Sequence, residues 1–93
     1  MAVTSKNVTM TGSAVQLGTA GTFARWIVFV NSAAAAQAVA DANVSLTRGI
    51  PLAATGGNYA LQPMPDGSHY DLGQWYGIGT NTQNLTVVYD GMN

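Results

Sequence analysis

The chain has 93 residues, of which only 8% are charged, with three basic and four acidic side chains and a formal net charge of −1. A typical soluble domain is about 25% charged, so this surface depends on uncharged polar residues and suits contact with other proteins. So few basic residues exclude an electrostatic footprint for nucleic acid, and the absence of cysteine excludes disulfides and thiolate metal sites.

The first half of the chain alternates apolar and polar residues. Residues 8–11 predict a strand with Val8 and Met10 on one face, and residues 14–17 predict a short continuation. The strongest strand signal is residues 23–30, which are dense in β-branched and aromatic side chains. Its odd positions carry Phe23, Arg25, Ile27 and Phe29, and its even positions carry Ala24, Trp26, Val28 and Val30. Because both faces are apolar, we expect this strand to be central in a sandwich or to present one face to a partner.

Residues 32–43 are ambiguous. The alanines favour a helix with Ser32 as its N-cap. However, about ten residues are marginal for a helix, and the segment has no large apolar side chains to dock it. A loop followed by a strand is therefore the favoured prediction.

The second half reads as short strands between turns. Residues 44–47 alternate, and Pro51 predicts an edge strand or a strand end because it cannot donate to a ladder. We predict a turn at residues 56–57, a strand at 58–62, a loop at 63–67, and a hairpin of strands 74–79 and 84–89. Together these elements predict an all-β fold, a small antiparallel β-sandwich or jelly-roll-like barrel with little or no helix.

Size and composition also bear on organisation. A chain this short builds one modest core, so we predict a single domain over residues 1–93 that gains stability from oligomerisation. Residues 1–6 are expected to form a flexible arm. The longest strongly apolar run, residues 26–30, is far shorter than the ~20 residues that span a bilayer, and residues 1–12 contain no apolar signal segment. We expect a protein made in the cytoplasm with no membrane partner.

Residues able to do chemistry are scarce. His69 lies between Asp66 and Asp71, which could indicate a metal site or an acid/base pair. An exposed loop histidine or an interface contact is favoured, because three ligands within six residues of a turn rarely converge on one metal. The chain has no Glu and no second His, and no serine lies in a nucleophile-elbow pattern. We therefore expect no enzymatic activity, no metal and no cofactor.

The aromatic residues raise a second possibility. Trp75 and Tyr76, with Tyr59 and Tyr70, could form a platform for a sugar ring. A core or subunit-interface role is favoured, since neighbouring residues of a strand point to opposite faces. For Trp26, a place in the sandwich core and a place in a protein interface are equally compatible with the sequence. The candidate interface residues are Trp26, Trp75, Tyr76, His69, Tyr70 and Lys6.

The order of these segments resembles small β-sandwich structural proteins of tailed bacteriophages, typically capsid decoration (cement) proteins. The segments that carry the resemblance are residues 8–17 (VTMTGSAVQL), 24–31 (ARWIVFVN), 42–44 (ANV), 48–52 (RGIPL), 56–57 (GG) and 75–79 (WYGIG). They cover most of the chain but are hydrophobic patterns and contain no catalytic signature. The alanine run at residues 33–36 departs from the pattern and suggests a contact loop.

The resemblance implies a structural role on a virion. We expect a homotrimer that binds the major capsid protein of the assembled head shell, with the arm, the Trp26 face or the loop at 63–76 making the contacts. The expected location is the capsid surface. A tail or fibre component and a carbohydrate-binding β-sandwich module remain as alternatives.

Overall fold

The computed structural model describes residues 2–91 and is all-β, as predicted. The strands are β1 (Ala2–Thr9), β2 (Val15–Gln16), β3 (Phe23–Asn31), β4 (Gln37–Ala40), β5 (Ile50–Leu52), β6 (Gly57–Leu61), β7 (Tyr70–Asp71), β8 (Tyr76–Ile78) and β9 (Asn84–Gly91). Within the described residues the only helix is a single 3₁₀ turn, Leu72–Gln74.

The strands form two antiparallel sheets. Sheet A has the order β1-β9-β3-β6, with β7 also pairing with β3, and sheet B has the order β2-β8-β4-β5. Both sheets contribute to one core, whose fully buried members are Met10, Leu17, Ala24, Ile27, Phe29, Val39, Leu52, Leu72, Leu85 and Val87. The arrangement is therefore sandwich-like, with β3 and β9 as the inner strands of sheet A.

Strand β3 is interrupted by a β-bulge. Ala24 pairs with Gly91 and Ile27 pairs with Tyr89, so that two residues of β3 oppose the single residue Asp90. The bulge shifts the alternation, and Ala24 joins Ile27 in the core. The prediction that all the odd positions of this strand share one face is therefore wrong before the bulge, where Arg25 is exposed. It is right after the bulge, where Ile27 and Phe29 are both buried.

Residues 32–36 are a loop, and β4 follows, as the favoured prediction had it. The buried side chain of Asn31 organises this loop. Its amide nitrogen donates to the carbonyls of Ala35 (2.8 Å) and Leu52 (3.1 Å), and its oxygen accepts from the amide of Ala33 (2.9 Å). These bonds satisfy loop groups that a helix would have satisfied internally, which outweighs the helix propensity of the alanines.

The predicted C-terminal hairpin is wrong. β8 pairs with β2 and β4 in sheet B, whereas β9 pairs with β1 and β3 in sheet A. The polar segment at 80–83 therefore crosses between the sheets. The edge position predicted from Pro51 is confirmed, because β5 pairs with β4 alone and lies at the end of sheet B.

Residues 2–6 are not a separate arm. They belong to β1, which pairs with β9 from Ala2 opposite Gly91 to Thr9 opposite Asn84. Met1 lies outside the described residues. The strand predicted at residues 8–11 begins too late, because residues 4–7 are all polar and show no apolar alternation. These residues are extended because they pair with β9.

Lys6 protects the long free edge that β1 presents. Lys6 lies opposite the buried Val87, so its side chain is on the side of sheet A that faces the core. Because β1 is an edge strand, Lys6 is only half-buried there. An inward charge on an edge strand must stay hydrated, and it therefore opposes pairing with a second chain.

Replacing Lys6 with valine is therefore expected to increase self-association beyond that of the unaltered protein. Sedimentation velocity over a concentration series should show larger species for Lys6→Val. Lys6→Gln, which keeps a polar group at the position, should behave like the unaltered protein. Equal sedimentation of Lys6→Val and Lys6→Gln would contradict this role.

Candidate functional site

The outward side of sheet A carries a patch of apolar residues. Val28 pairs with Val88 and with Ala60, and these residues alternate with the buried side chains of their strands. By the same alternation this side also carries Trp26 and Val30, and Val3, which is 68% exposed. We call this set, Val3, Trp26, Val28, Val30, Ala60 and Val88, the outer apolar face.

Small polar residues border the outer apolar face. Ser5 pairs with Val88 and Asn58 pairs with Val30, while the hydroxyl of Thr86 donates to Asn7 Oδ1 at 2.8 Å. An apolar centre inside a ring of uncharged polar groups is the usual composition of a protein–protein interface.

The charges near the outer apolar face lie at its bulged end. Arg25 Nε is 3.8 Å from Asp90 Oδ2, which is an ion pair but too long for a hydrogen bond. Asp90 is 2% exposed, and its Oδ1 accepts no hydrogen bond from the described residues. A buried carboxylate oxygen without a donor is costly, and this oxygen lies beneath the surface, where a docking partner does not reach it.

Of the six predicted interface residues, only Trp26 lies on the outer apolar face. Lys6 is on the opposite side of sheet A, at its edge. Trp75 packs against the core, with its ring centroid 5.4 Å from that of Phe29. Tyr76 follows it in β8, opposite Gln16 and Ala40, and is half-buried in sheet B. The structure therefore does not bring the six residues together.

Tyr70 and His69 lie at the start of β7. The hydroxyl of Tyr70 donates to the carbonyl of Gln62 at 2.7 Å, and its side chain packs against the core, whereas His69 is exposed. Asp66 accepts from the Ser68 amide at 2.9 Å, and its bonds from the backbone and side chain of Ser68 lower the pKa of its carboxyl. Within residues 2–91 no three His, Cys, Asp or Glu side chains gather in a way that could hold a metal ion.

A pocket that the sequence did not predict lies at the end of sheet B. It has a volume of about 400 Å³ and lies where β4 ends and β5 begins. Its lining residues are Ala40, Asp41, Arg48, Gly49, Ile50, Gln74 and Trp75. These come from three separate stretches of the chain, and no local spacing in the sequence relates them.

Residues 2–91 form an all-β fold of two antiparallel sheets, with an apolar patch on the outer side of sheet A and a small pocket at the end of sheet B. Comparison with protein-family models, curated proteins and solved structures found no match to the chain. Across residues 2–91, no helix has the length and apolar character to cross a membrane.

Proposed function

We propose that the protein is a structural component of a bacteriophage virion, a capsid decoration protein that binds the assembled head shell as a symmetric oligomer. The observation that carries the proposal is the outer apolar face, where Val3 is exposed and Trp26, Val28, Val30 and Val88 are only half-buried, in a chain that is only 8% charged. The sequence resemblance to phage decoration proteins supports the same role.

The chemistry of the outer apolar face fits a protein partner. Apolar side chains at its centre can be desolvated at little cost, and bordering hydroxyls and amides can bond at the rim.

The size of the outer apolar face favours many weak contacts over one strong contact. Four strands about 4.8 Å apart and five residues of about 3.3 Å each cover roughly 300 Å², whereas a stable interface takes about 800 Å² from each partner. A symmetric oligomer that docks several copies on one shell gains the missing affinity through avidity.

Co-sedimentation with empty mature head shells tests the proposal, using the phage whose genome encodes the chain. The unaltered protein is expected to pellet with shells at micromolar concentration. Val28→Lys, at the centre of the outer apolar face, is expected to weaken binding at least about tenfold because the ammonium would have to be desolvated at the interface.

Leu46→Lys is the matched control. Leu46 is 59% exposed and lies in the connection between β4 and β5, two strands of sheet B, so its replacement should leave shell binding unchanged. If the unaltered protein stays in the supernatant, the decoration role is wrong. If Leu46→Lys and Val28→Lys bind equally, the role of the outer apolar face is wrong.

A tail or fibre component would use the same fold differently. It would form an elongated or ring-shaped oligomer that does not pellet with shells. Negative-stain imaging of the purified oligomer, together with its sedimentation, separates this alternative from the expected compact trimer.

A further inference from the structure

The pocket at the end of sheet B has the construction of a ligand site. Its volume of about 400 Å³ lies within the range of roughly 300–1,000 Å³ that small-molecule sites occupy. Trp75 provides an aromatic wall, while Ala40 and Ile50 provide apolar lining. Three polar side chains, Asp41, Arg48 and Gln74, line the same space.

The apolar part of the pocket is held in place by the fold. Trp75 rests on the buried Phe29, and its backbone carbonyl accepts from the amide of Leu17 at 2.8 Å. Gly49 has a φ of +157°, and a Cβ added there would lie 2.9 Å from Val44 Cγ2. The close approach of the chain at Gly49 therefore requires glycine.

The polar part is also anchored through the backbone. Asp41 Oδ1 accepts from the Asn43 amide at 3.0 Å, which orients the carboxylate and leaves Oδ2 as an acceptor. Two backbone bonds between Ser45 and Arg48, of 3.0 and 3.1 Å, close the turn that carries Arg48. The backbone that frames the pocket is thus fixed by bonds within the fold, while the polar side chains of Asp41, Arg48 and Gln74 are exposed.

The charges of the pocket select the class of ligand. Asp41 and Arg48 have opposite signs, and they are not paired with each other, since Arg25 and Asp90 form the only ion pair found in the described part of the chain. Their charges sum to zero, which favours neither an anion such as phosphate nor a cation. A neutral molecule with several hydroxyls can donate to Asp41 and accept from Arg48 and Gln74.

We propose that this pocket binds a neutral sugar ring. The apolar C–H face of a pyranose would lie against Trp75, and adjacent hydroxyls would bond to Asp41, Arg48 and Gln74. The pocket therefore adds glycan contact to a protein whose proposed docking surface lies on the other sheet.

NMR titration of the ¹⁵N-labelled full chain tests the proposal with methyl glycosides of glucose, galactose and mannose and with N-acetylglucosamine. At least one is expected to give saturable shifts of the Trp75 indole N–H, the Gln74 side-chain amide and Gly49. A Kd on the order of 1 mM is expected for so small a ligand. Glucuronic acid, an anionic counterpart, should bind no more tightly than its neutral parent.

Two exposed residues of the pocket provide the variants. Asp41→Asn keeps an oxygen to accept from Asn43 and is expected to weaken binding about tenfold, as is Arg48→Gln, because each removes a charge-assisted hydrogen bond. Asp66→Asn and Lys6→Gln make the same charge changes outside the pocket and should leave the Kd unchanged. Retained ¹⁵N spectra show that each variant is folded.

Several results would overturn the proposal. These are no saturable shift with any neutral sugar, stronger binding of the anionic sugar, or shifts centred on Tyr59 and Tyr70 and not on Trp75. Equal loss of binding in the pocket variants and their controls would also contradict it. Shell co-sedimentation of Arg48→Gln should match that of the unaltered protein, so failure of sugar binding does not count against the decoration role.

Discussion

Replacing Phe29 with alanine is expected to lower the free energy of unfolding by about 3–5 kcal/mol. Phe29 is fully buried in the central strand β3, where it lies opposite Val87 of β9 and packs against Trp75. Its removal loses apolar burial from both sheets and leaves a cavity that neighbouring strands can close only in part. Domains of this size are stable by about 5–15 kcal/mol, so the loss is a large fraction of the total.

Urea unfolding followed by Trp fluorescence measures this change, and thermal unfolding should show a melting temperature lower by roughly 20 °C. Phe23→Ala is the matched control, because Phe23 is in the same strand but 49% exposed, and its cost should be much smaller. Equal destabilisation by the two substitutions would show that Phe29 does not hold the sheets together.

Replacing Asn31 with alanine is expected to cost about 3 kcal/mol, although the change removes little apolar surface. The side chain is fully buried and makes three hydrogen bonds, to Ala33, Ala35 and Leu52. Each net bond contributes about 0.5–1.5 kcal/mol, and a buried partner left unsatisfied costs about 1–3 kcal/mol. We also expect faster hydrogen exchange in the loop at residues 32–36, which depends on these bonds.

Asn58→Ala provides the comparison. Asn58 is exposed, and among the described residues its side chain donates to the carbonyl of Gly56 alone, so its loss should change stability by less than about 0.5 kcal/mol. Urea unfolding and amide exchange of both variants measure the difference. If Asn31→Ala were no more destabilising than Asn58→Ala, or if loop exchange were unchanged, the proposed organisation by Asn31 would be wrong.

The position of many strands could be predicted because the signal is local. The apolar density of residues 23–30 marked β3, the glycines at 56–57 marked the turn before β6, and Pro51 marked an edge. Each of these depends on what a residue or its near neighbours can adopt, such as the missing N–H of proline.

Strand pairing could not be predicted in the same way. β8 and β9 are adjacent in sequence and joined by a short polar segment, which is the pattern of a hairpin, yet they lie in different sheets. The alternation of a strand shows which side chains share a face but not which strand lies beside it. Likewise the bulge at Arg25 and Trp26 depends on the register with β9, which the sequence of β3 does not contain.

The candidate surfaces show the same limit. Trp26 was identifiable from its own strand, but its neighbours Val88 and Ala60 come from strands that only the register places beside β3. The pocket joins Asp41 and Arg48 with Trp75, and these residues are brought together by the packing of sheet B and the 3₁₀ turn.

By itself, the sequence determined that this chain is all-β, poor in charge, and without a recognisable catalytic pattern, because composition and period-2 alternation are properties of the residues alone. The tertiary structure decided which apolar face is covered. Sheet B buries the side of β3 that carries Phe29, while Trp26, Val28 and Val30 on the other side are half-buried and lie outside the core cluster of the described residues. Burial depends on contacts between residues distant in sequence. The low charge of the chain therefore suggested contact with other proteins, but only the arrangement of the two sheets showed which surface could make that contact.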